Sequence, residues 1–440
     1  MRAIDLAYHV RVGELALRSG DVIRTDMFTF TRGGFPWLNQ QWGAQVIFAL
    51  AHRALGWAGV AITHAAAVGT GILFVYRSCV RAGAHPRTSA VLSLLGFLVG
   101  AGSLAARPQS LAIPLFTGTW LLLGRRSRWI WLVPVLAVVW ANVHGSFVLA
   151  PLLTAFALAD DVADRKPAGR SLLLLLATVA GTLVSPFGPS VWSYAVEIAG
   201  NETIRSSVAE WRPPLPFTVR GAPFWFSGIA VAVLGVSKRR AVRPVDAIRL
   251  LAFFALGLPA LRATLWWALA APPIVASWYR RADRTPSAGT GRSALDRTAA
   301  AILLALLPIS LLARAGIDPV TGAPVRLARD APEVLVDATR RSLPRGSRLF
   351  VFQPFASWFE FSLPEDPVMV DSKVELFPAA VWRDYARVIS ARDGWERVLD
   401  RYTIQGVILE PGAVLTDELL VSDGWERIAV GPAGSVFVRA

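Results

Sequence analysis

The sequence has little charge and almost no cysteine. Its single cysteine, Cys79, excludes a disulfide framework within the chain. Charged residues make up only 17% of the chain, whereas soluble domains contain about a quarter. The chain also lacks a phosphate-binding glycine loop, a zinc-spaced Cys/His set and a nucleophile elbow. These absences exclude an ordinary soluble domain and give no support to a nucleotide-sugar or ATP site.

Apolar residues are abundant instead. They make up 54% of the 440 residues, with 17 tryptophans, and the mean hydropathy is +0.46. This composition predicts an α-helical polytopic membrane protein. The net charge of +14 is compatible with nucleic-acid binding, but most of the excess lies in short loops at the ends of apolar runs, where anionic lipid attracts it. We therefore expect a lipid bilayer and no nucleic acid as partner.

Hydropathy predicts about ten membrane spans. They lie at residues 58–76, 89–104, 109–124, 129–142, 147–160, 171–184, 223–236, 246–261, 264–278 and 298–314. The apolar stretch 44–57 is short and contains His52 and Arg53, so we expect an interfacial or re-entrant helix there. Residues 280–297 have the composition of a flexible cytoplasmic loop.

Basic residues mark one side of the predicted membrane. If alternate loops face opposite sides, five clusters share one side, which the positive-inside rule makes the cytoplasm. The clusters are Arg77, Arg81 and Arg87; Arg125, Arg126 and Arg128; Arg165, Lys166 and Arg170; Lys238, Arg239, Arg240 and Arg243; and Arg280, Arg281 and Arg284. The abundance of arginine over lysine suggests a bacterial protein, and hence a plasma-membrane location. Both termini then lie outside, and we expect a further span ahead of Asp5 that this start site omits.

Three segments follow from this pattern. Residues 1–57 are expected to form an external loop with amphipathic helices, residues 58–314 the transmembrane domain, and residues 315–440 a soluble extracytoplasmic α/β domain. Short β-branched runs predict strands in the last segment, and longer periodic runs predict helices. The strands are at 348–353, 368–370, 406–409 and 435–438, and the helices at 378–390, 395–402 and 415–421.

The first external segment holds two candidate acidic residues. Asp5 and His9 have helical i, i+4 spacing, which places an acidic group beside an imidazole. Such a pair suits a general base or a divalent-metal site. The equally weighted alternative is that Asp5 caps a surface helix and that His9 is its solvated neighbour. Asp26 is the second acidic candidate.

Polar residues also interrupt the apolar runs on the external side. Arg107, followed by Pro108 and Gln109, and Arg262 are either lipid anchors or phosphate ligands, because a guanidinium binds phosphate with two hydrogen bonds. Asn142 and His144 are costly at membrane depth unless they line a cavity or tie two helices together.

Two further external segments carry acidic and aromatic groups. The long loop 185–222 carries Glu210 and Trp211. Asp371, Lys373 and Glu375 follow the end of a predicted strand, where ordinary turn chemistry explains them slightly better than function does.

Several of these motifs together resemble a known family. Asp5–His9, Gly20-Asp21 and Phe35-Pro36-Trp37, followed by an apolar helix, resemble the first external loop of GT-C membrane glycosyltransferases, such as protein O-mannosyltransferases and aminoarabinose transferases. The remaining motifs are similar to those of a group of uncharacterised bacterial multi-span proteins with an external C-terminal domain. They are Thr25-Asp26-Met27-Phe28-Thr29, Arg107-Pro108-Gln109 and Asn142-Val143-His144-Gly145.

The resemblance implies a function. It implies transfer of a hexosyl or pentosyl group from a polyprenyl-phosphate sugar donor to an envelope glycan, lipid or protein acceptor. Asp5 is then the base and Asp26 the second candidate, while Arg107 and Arg262 bind the donor phosphate. The expected cavity residues are His9, Gln109, Asn142, His144, Glu210 and Trp211. No cofactor is required, although Mg²⁺ or Mn²⁺ is compatible with the site.

Two other functions remain open. A carrier or flippase for a lipid-linked glycan needs the same arginines but no base. A structural partner in an envelope-assembly complex needs neither.

Overall fold

The computed structural model describes residues 5–124, 128–279 and 332–440. The chain is mainly helical, with a small mixed sheet near the C-terminus. It divides into two compact units. The sheet unit comprises Met1–Ala54, Pro189–Ser207 and Ala328–Ala440, and the helical unit comprises Leu55–Gly188 and Val208–Leu327. The first 54 residues therefore share a unit with the C-terminal domain, whereas the sequence predicted a separate external loop at 1–57.

Helix α2, Trp42–Arg81, is interrupted where the two units divide. Leu55 and Gly56 have non-helical backbone angles, and Gly56 has a φ of +59°, which glycine adopts readily because it lacks a Cβ. The predicted short helix 44–57 and the predicted span 58–76 correspond to the two sides of this break.

The other predicted spans before residue 280 each correspond to a helix of the helical unit. The helices are α3 (Pro86–Gly100), α4 (Pro108–Leu123), α5 (Leu132–Ala141), α6 (Leu149–Ala163), α7 (Gly169–Thr182), α10 (Ala222–Ser237), α11 (Pro244–Gly257) and α12 (Thr264–Ser277). Prolines at the starts of α3, α4 and α11 suit the first helical turn, where a backbone N–H is not needed. The predicted loop 280–297 and span 298–314, and the basic residues Arg125, Arg126, Arg280, Arg281 and Arg284, lie outside the described residues.

Helix α12 forms the core of the helical unit. Residues 264–276 are all buried, as expected of a helix that is apolar on every side. Small residues let α3 approach it closely, since an added Cβ at Gly96 would lie 2.6 Å from the carbonyl oxygen of Ala268. Trp266 in the first turn of α12 belongs to a cluster of aromatic rings. The other members are Phe116, Trp120, Trp140 and Phe253.

Two helical segments of the described chain, Trp42–Arg81 and Gly145–Ala163, are long and apolar enough to cross a membrane. Arg128–Ala141, Gly169–Thr182 and Ala222–Ser237 are apolar but shorter. These lengths are compatible with membrane association of the chain.

The sheet unit contains a four-stranded sheet with helices around it. Its strands are β1 (Leu349–Val351), β2 (Gly406–Leu409), β3 (Trp425–Gly431) and β4 (Gly434–Arg439), in the order β1-β2-β4-β3. Only β1 and β2 are parallel. Its helices are α1 (Leu6–Ser19), α8 (Ser190–Gly200), α9 (Glu202–Ser207), α13 (Glu333–Ser342), α14 (Gln353–Ser362), α15 (Ala379–Ile389), α16 (Trp395–Arg401) and α17 (Leu415–Val421).

The predicted α/β pattern of this domain is largely confirmed. The strands at 406–409 and 435–438 and all three predicted helices are present. The predicted strand 348–353 was too long, because α14 begins at Gln353 with a proline in its first turn. The sequence missed β3, α13 and α14.

The N-terminal segment extends the edge of this sheet. The backbone N–H of Val368 donates to the carbonyl of Phe28 at 3.0 Å, and the N–H of Phe30 donates to the carbonyl of Val368 at 3.2 Å. The N–H of Met369 in turn donates to the carbonyl of Leu349 in β1 at 3.0 Å. Residues 368–370, predicted as a strand, therefore link the N-terminal segment to the sheet.

Helix α1 packs closely against the start of α2. An added Cβ at Gly13 would lie 2.1 Å from the backbone carbonyl oxygen of Gln45. We expect Gly13→Ala to lower the free energy of unfolding by about 1–3 kcal/mol, because the two helices would have to separate. Denaturant titration of the purified chain measures this change.

Gly69→Ala is the matched control, since Gly69 is also helical and an added Cβ meets nothing within 4 Å. It should leave stability unchanged or raise it by up to about 1 kcal/mol. Equal stabilities for the two variants would contradict the close approach at Gly13.

Candidate functional site

The residues selected from the sequence fall into two groups. Asp5, His9 and Asp26 belong to the sheet unit. The helical unit holds Arg107, Gln109, Asn142, His144, Glu210, Trp211 and Arg262.

Six of the residues in the helical unit form one contact network, here called the arginine cluster: Arg107, Gln109, His144, Glu210, Trp211 and Arg262. Arg107 forms an ion pair with Glu210. The Arg262 guanidinium lies over the Trp211 ring, 4.9 Å from its centroid. The Gln109 amide donates to the backbone carbonyl of Arg262 at 3.1 Å. Residues from four separate loops of the sequence are thus brought together.

Three helical segments begin at this cluster. Arg107 immediately precedes α4, and His144 precedes the 3-10 turn Gly145–Val148 that leads into α6. Arg262 lies in the turn Leu261–Ala263 that leads into α12. Because the N-terminal end of a helix carries a partial positive charge, these starts add to the charge of the two arginines. The cluster is therefore a favourable environment for an anion.

The His144 ring contacts Arg262 within this cluster. Its Nδ1 accepts the backbone N–H of Ser146 at 3.1 Å. Its Nε2 lies 3.4 Å from Nη2 of Arg262, so the imidazole and the guanidinium are hydrogen-bond neighbours whose roles are set by the tautomer of the ring.

Asn142 makes hydrogen bonds that join two parts of the helical unit. Its amide donates to the carbonyls of Val138 and Val184, both at 2.8 Å. These bonds tie the end of α5 to the residues that follow α7. The alternative that Asn142 joins two helices is therefore confirmed.

Asp26 lies in a fully buried group in the sheet unit, here called the Lys373 cluster: Asp26, Glu360, Asp371 and Lys373. The Lys373 ammonium forms an ion pair with Asp371, and lies 3.4 Å from Asp26 and 3.8 Å from Glu360. Its nitrogen also lies 5.2–5.3 Å from the ring centroids of three aromatic residues, within reach of cation–π attraction. These are Tyr8, Phe28 and Trp37.

One ammonium cannot neutralise three buried carboxylates. Burial raises the pKa of Glu360 well above its ordinary value, and the neighbouring carboxylates raise it further. Burial alone would lower the pKa of Lys373, but Asp371, Glu360 and Asp26 together raise it. Glu360 therefore holds a proton more readily than a free glutamate does, while Lys373 stays charged.

The contacts of Asp26 give it a structural role. Its carboxylate accepts the backbone N–H of Thr29 at 3.2 Å and faces Lys373. To act as a second base, as predicted, Asp26 would have to leave this buried position. Turn chemistry, the preferred explanation here, holds for Asp371, whose carboxylate accepts the backbone N–H of Lys373 at 2.7 Å. Both side chains are also buried and paired with each other, which the sequence did not predict.

Asp5 is the residue immediately before α1, and it makes no side-chain capping bond to that helix. His9 is buried, not solvated, and its Nδ1 lies 3.4 Å from the Gln45 amide. Burial raises the pKa of the neighbouring Tyr8 well above its ordinary value, and the charge of Asp5 raises it further.

Local sequence patterns do not indicate the partners of two other carboxylates, Glu360 and Glu375. Glu360 lies within an aromatic stretch of α14 with no charged neighbour in the sequence to indicate a partner. Glu375 accepts a hydrogen bond from the Tyr194 hydroxyl at 2.7 Å, and burial raises its pKa. No sequence pattern pairs Glu375 with Tyr194, since the two residues are 181 positions apart.

The described residues contain no group of three or more His, Cys, Asp or Glu side chains suited to holding a metal ion. In the Lys373 cluster the ammonium occupies the position between the carboxylates.

The sequence matches no protein-family model and no curated protein. The two clusters are therefore the basis of the functional proposal.

The Lys373 cluster predicts an unusual dependence of stability on pH. The pKa of Glu360 is raised in the folded state, so protonation of this side chain stabilises the fold. This contribution to the free energy of unfolding is complete below the ordinary glutamate pKa. That contribution is lost as the pH rises through the folded-state value. We expect Glu360→Gln to abolish this loss and to be about 1–3 kcal/mol more stable than wild type at high pH.

Denaturant titrations from pH 4 to pH 9 measure the effect, and Glu365→Gln, at an exposed carboxylate, is the control. A Glu360→Gln variant that is less stable than wild type at pH 9 would mean that Glu360 is ionised and needed by Lys373.

Proposed function

We propose that the chain is an inverting membrane glycosyltransferase of the GT-C type. It takes a sugar from a polyprenyl-phosphate donor in a bacterial plasma membrane and passes it to an extracytoplasmic envelope acceptor. The observation that carries this proposal is the arginine cluster, in which two arginines and three helix starts favour an anion.

The length and apolar character of the helices support the proposal. Two helices are long and apolar enough to cross a bilayer, and the shorter apolar helices match spans expected from hydropathy. The basic residues at the C-terminal ends of several helices fit the cytoplasmic side of a polytopic chain of about ten spans. The arginine cluster, at the opposite ends of α4, α6 and α12, is then extracytoplasmic.

The proposed sugar transfer uses a general base, Asp5, and an anion site, the arginine cluster. The acceptor hydroxyl loses its proton to the Asp5 carboxylate as its oxygen attacks the anomeric carbon. The bond from that carbon to the phosphate oxygen breaks, and its electron pair leaves with the polyprenyl phosphate. Arg107 and Arg262 stabilise the charge on this leaving group. Attack opposite the leaving group inverts the anomeric configuration.

Asp5→Asn tests the base. We expect it to remove transfer, because an amide cannot accept the acceptor proton. Cells carrying it at the wild-type protein level should reproduce the envelope glycolipid profile of a deletion strain, with the lipid-linked sugar accumulating. Asp21→Asn, at an exposed residue near the end of α1, is the control and should give the wild-type profile.

A wild-type profile for Asp5→Asn would contradict this role. If the deletion strain nevertheless lacked a glycan, the result would favour a carrier or flippase, which needs the arginine cluster but no base. If changes at Asp5, Arg107 and Arg262 were all tolerated, a structural partner would be favoured.

A further inference from the structure

We infer that Glu210 sets the charge selectivity of the arginine cluster. By neutralising Arg107, it makes the cluster favour a singly charged phosphodiester lipid over a pyrophosphate lipid. This inference rests on the proposed binding of a lipid phosphate, but it does not depend on sugar transfer.

The position of Glu210 is fixed by the fold. It lies in the 3-10 turn Ala209–Trp211, next to the tryptophan that contacts Arg262. The backbone N–H of Leu261 donates to the carbonyl of Arg212 at 2.9 Å, which joins this turn to the turn that carries Arg262. Glu210 therefore contacts Arg107 from a turn that is hydrogen-bonded to the turn of Arg262.

The ion pair lies where electrostatic interactions are strong. The side chain of Arg107 is 11% exposed and that of Glu210 is 29% exposed, so water screens the pair less than it screens a surface pair. The exposed carboxylate edge still allows a ligand to approach. Arg262 is half-buried, which leaves its guanidinium within reach of the same ligand.

The charge of the cluster follows from these contacts. Two guanidinium groups and one carboxylate leave one net positive charge. Arg212 is exposed, so water and salt screen its contribution. A phosphodiester with one negative charge matches this balance. A pyrophosphate brings at least one more negative charge close to Glu210, and like charges repel.

Glu210→Gln separates the charge from the shape of the site. The amide keeps the size of the side chain but removes its negative charge, so Arg107 is no longer neutralised. We expect the affinity for a pyrophosphate lipid, relative to that for a phosphodiester lipid, to rise about tenfold. Arg107→Gln should weaken binding of both lipids.

The experiment uses the purified full chain in detergent and two defined probes. Methyl farnesyl phosphate is the phosphodiester and farnesyl pyrophosphate is the pyrophosphate, and each Kd is measured by equilibrium dialysis of the labelled compound. Glu202→Gln, at an exposed glutamate outside the cluster, is the matched control and should keep the wild-type ratio of Kd values.

The outcomes separate this inference from the proposed function. An unchanged Kd ratio in Glu210→Gln, or failure of the wild-type chain to bind either probe, would overturn the inference. A tenfold change in the ratio would support it even if Asp5→Asn left the envelope glycolipids unaltered. In that case the transferase proposal alone would fail.

Discussion

The sheet unit depends on one buried positive charge, the ammonium of Lys373. Its acidic neighbours come from three separated parts of the sequence, with Asp26 near the N-terminus, Glu360 on α14 and Asp371 after the sheet edge. An ion taken out of water is very costly unless its partners are in place, and removing one partner of a buried pair typically costs about 3–5 kcal/mol. The N-terminal segment and the C-terminal domain therefore gain most of this stabilisation only when they fold together.

This constraint bears on the proposed base. Helix α1 carries Tyr8, whose ring lies over the Lys373 ammonium and whose backbone N–H donates to the Ser357 hydroxyl at 3.0 Å. Asp5 stands immediately before that helix, so its backbone is held by the same contacts. The helical unit holds its arginines in a comparable way, because Arg107 and Arg262 both stand at helix starts. In each unit, the groups proposed for chemistry are positioned by regular secondary structure, which favours a fixed geometry.

Sequence reasoning was most successful where local patterns decide the structure. Apolar runs located the helices of the helical unit, and the polar residues that interrupt those runs, such as Arg107, His144 and Arg262, lie at helix starts. It was least successful where partners are distant in sequence, as for Asp26 and Lys373, because no local pattern reports such a pair. The alternative of a solvated His9 was wrong because α1 packs into the sheet unit and buries that ring. Strand β3 was missed because its side chains alternate irregularly between charged and apolar, as at a partly exposed sheet edge.

A double-mutant cycle between Asp26 and Lys373 tests the joint folding of the two ends of the chain most directly. The free energy of unfolding is measured for wild type, Lys373→Met, Asp26→Asn and the double variant. Lys373→Met leaves Asp26 buried without its countercharge, so adding Asp26→Asn should restore part of the lost stability, with a coupling energy of about 1–3 kcal/mol. Additive effects of the two substitutions would contradict the account, because they would show that the N-terminal segment does not depend on Lys373.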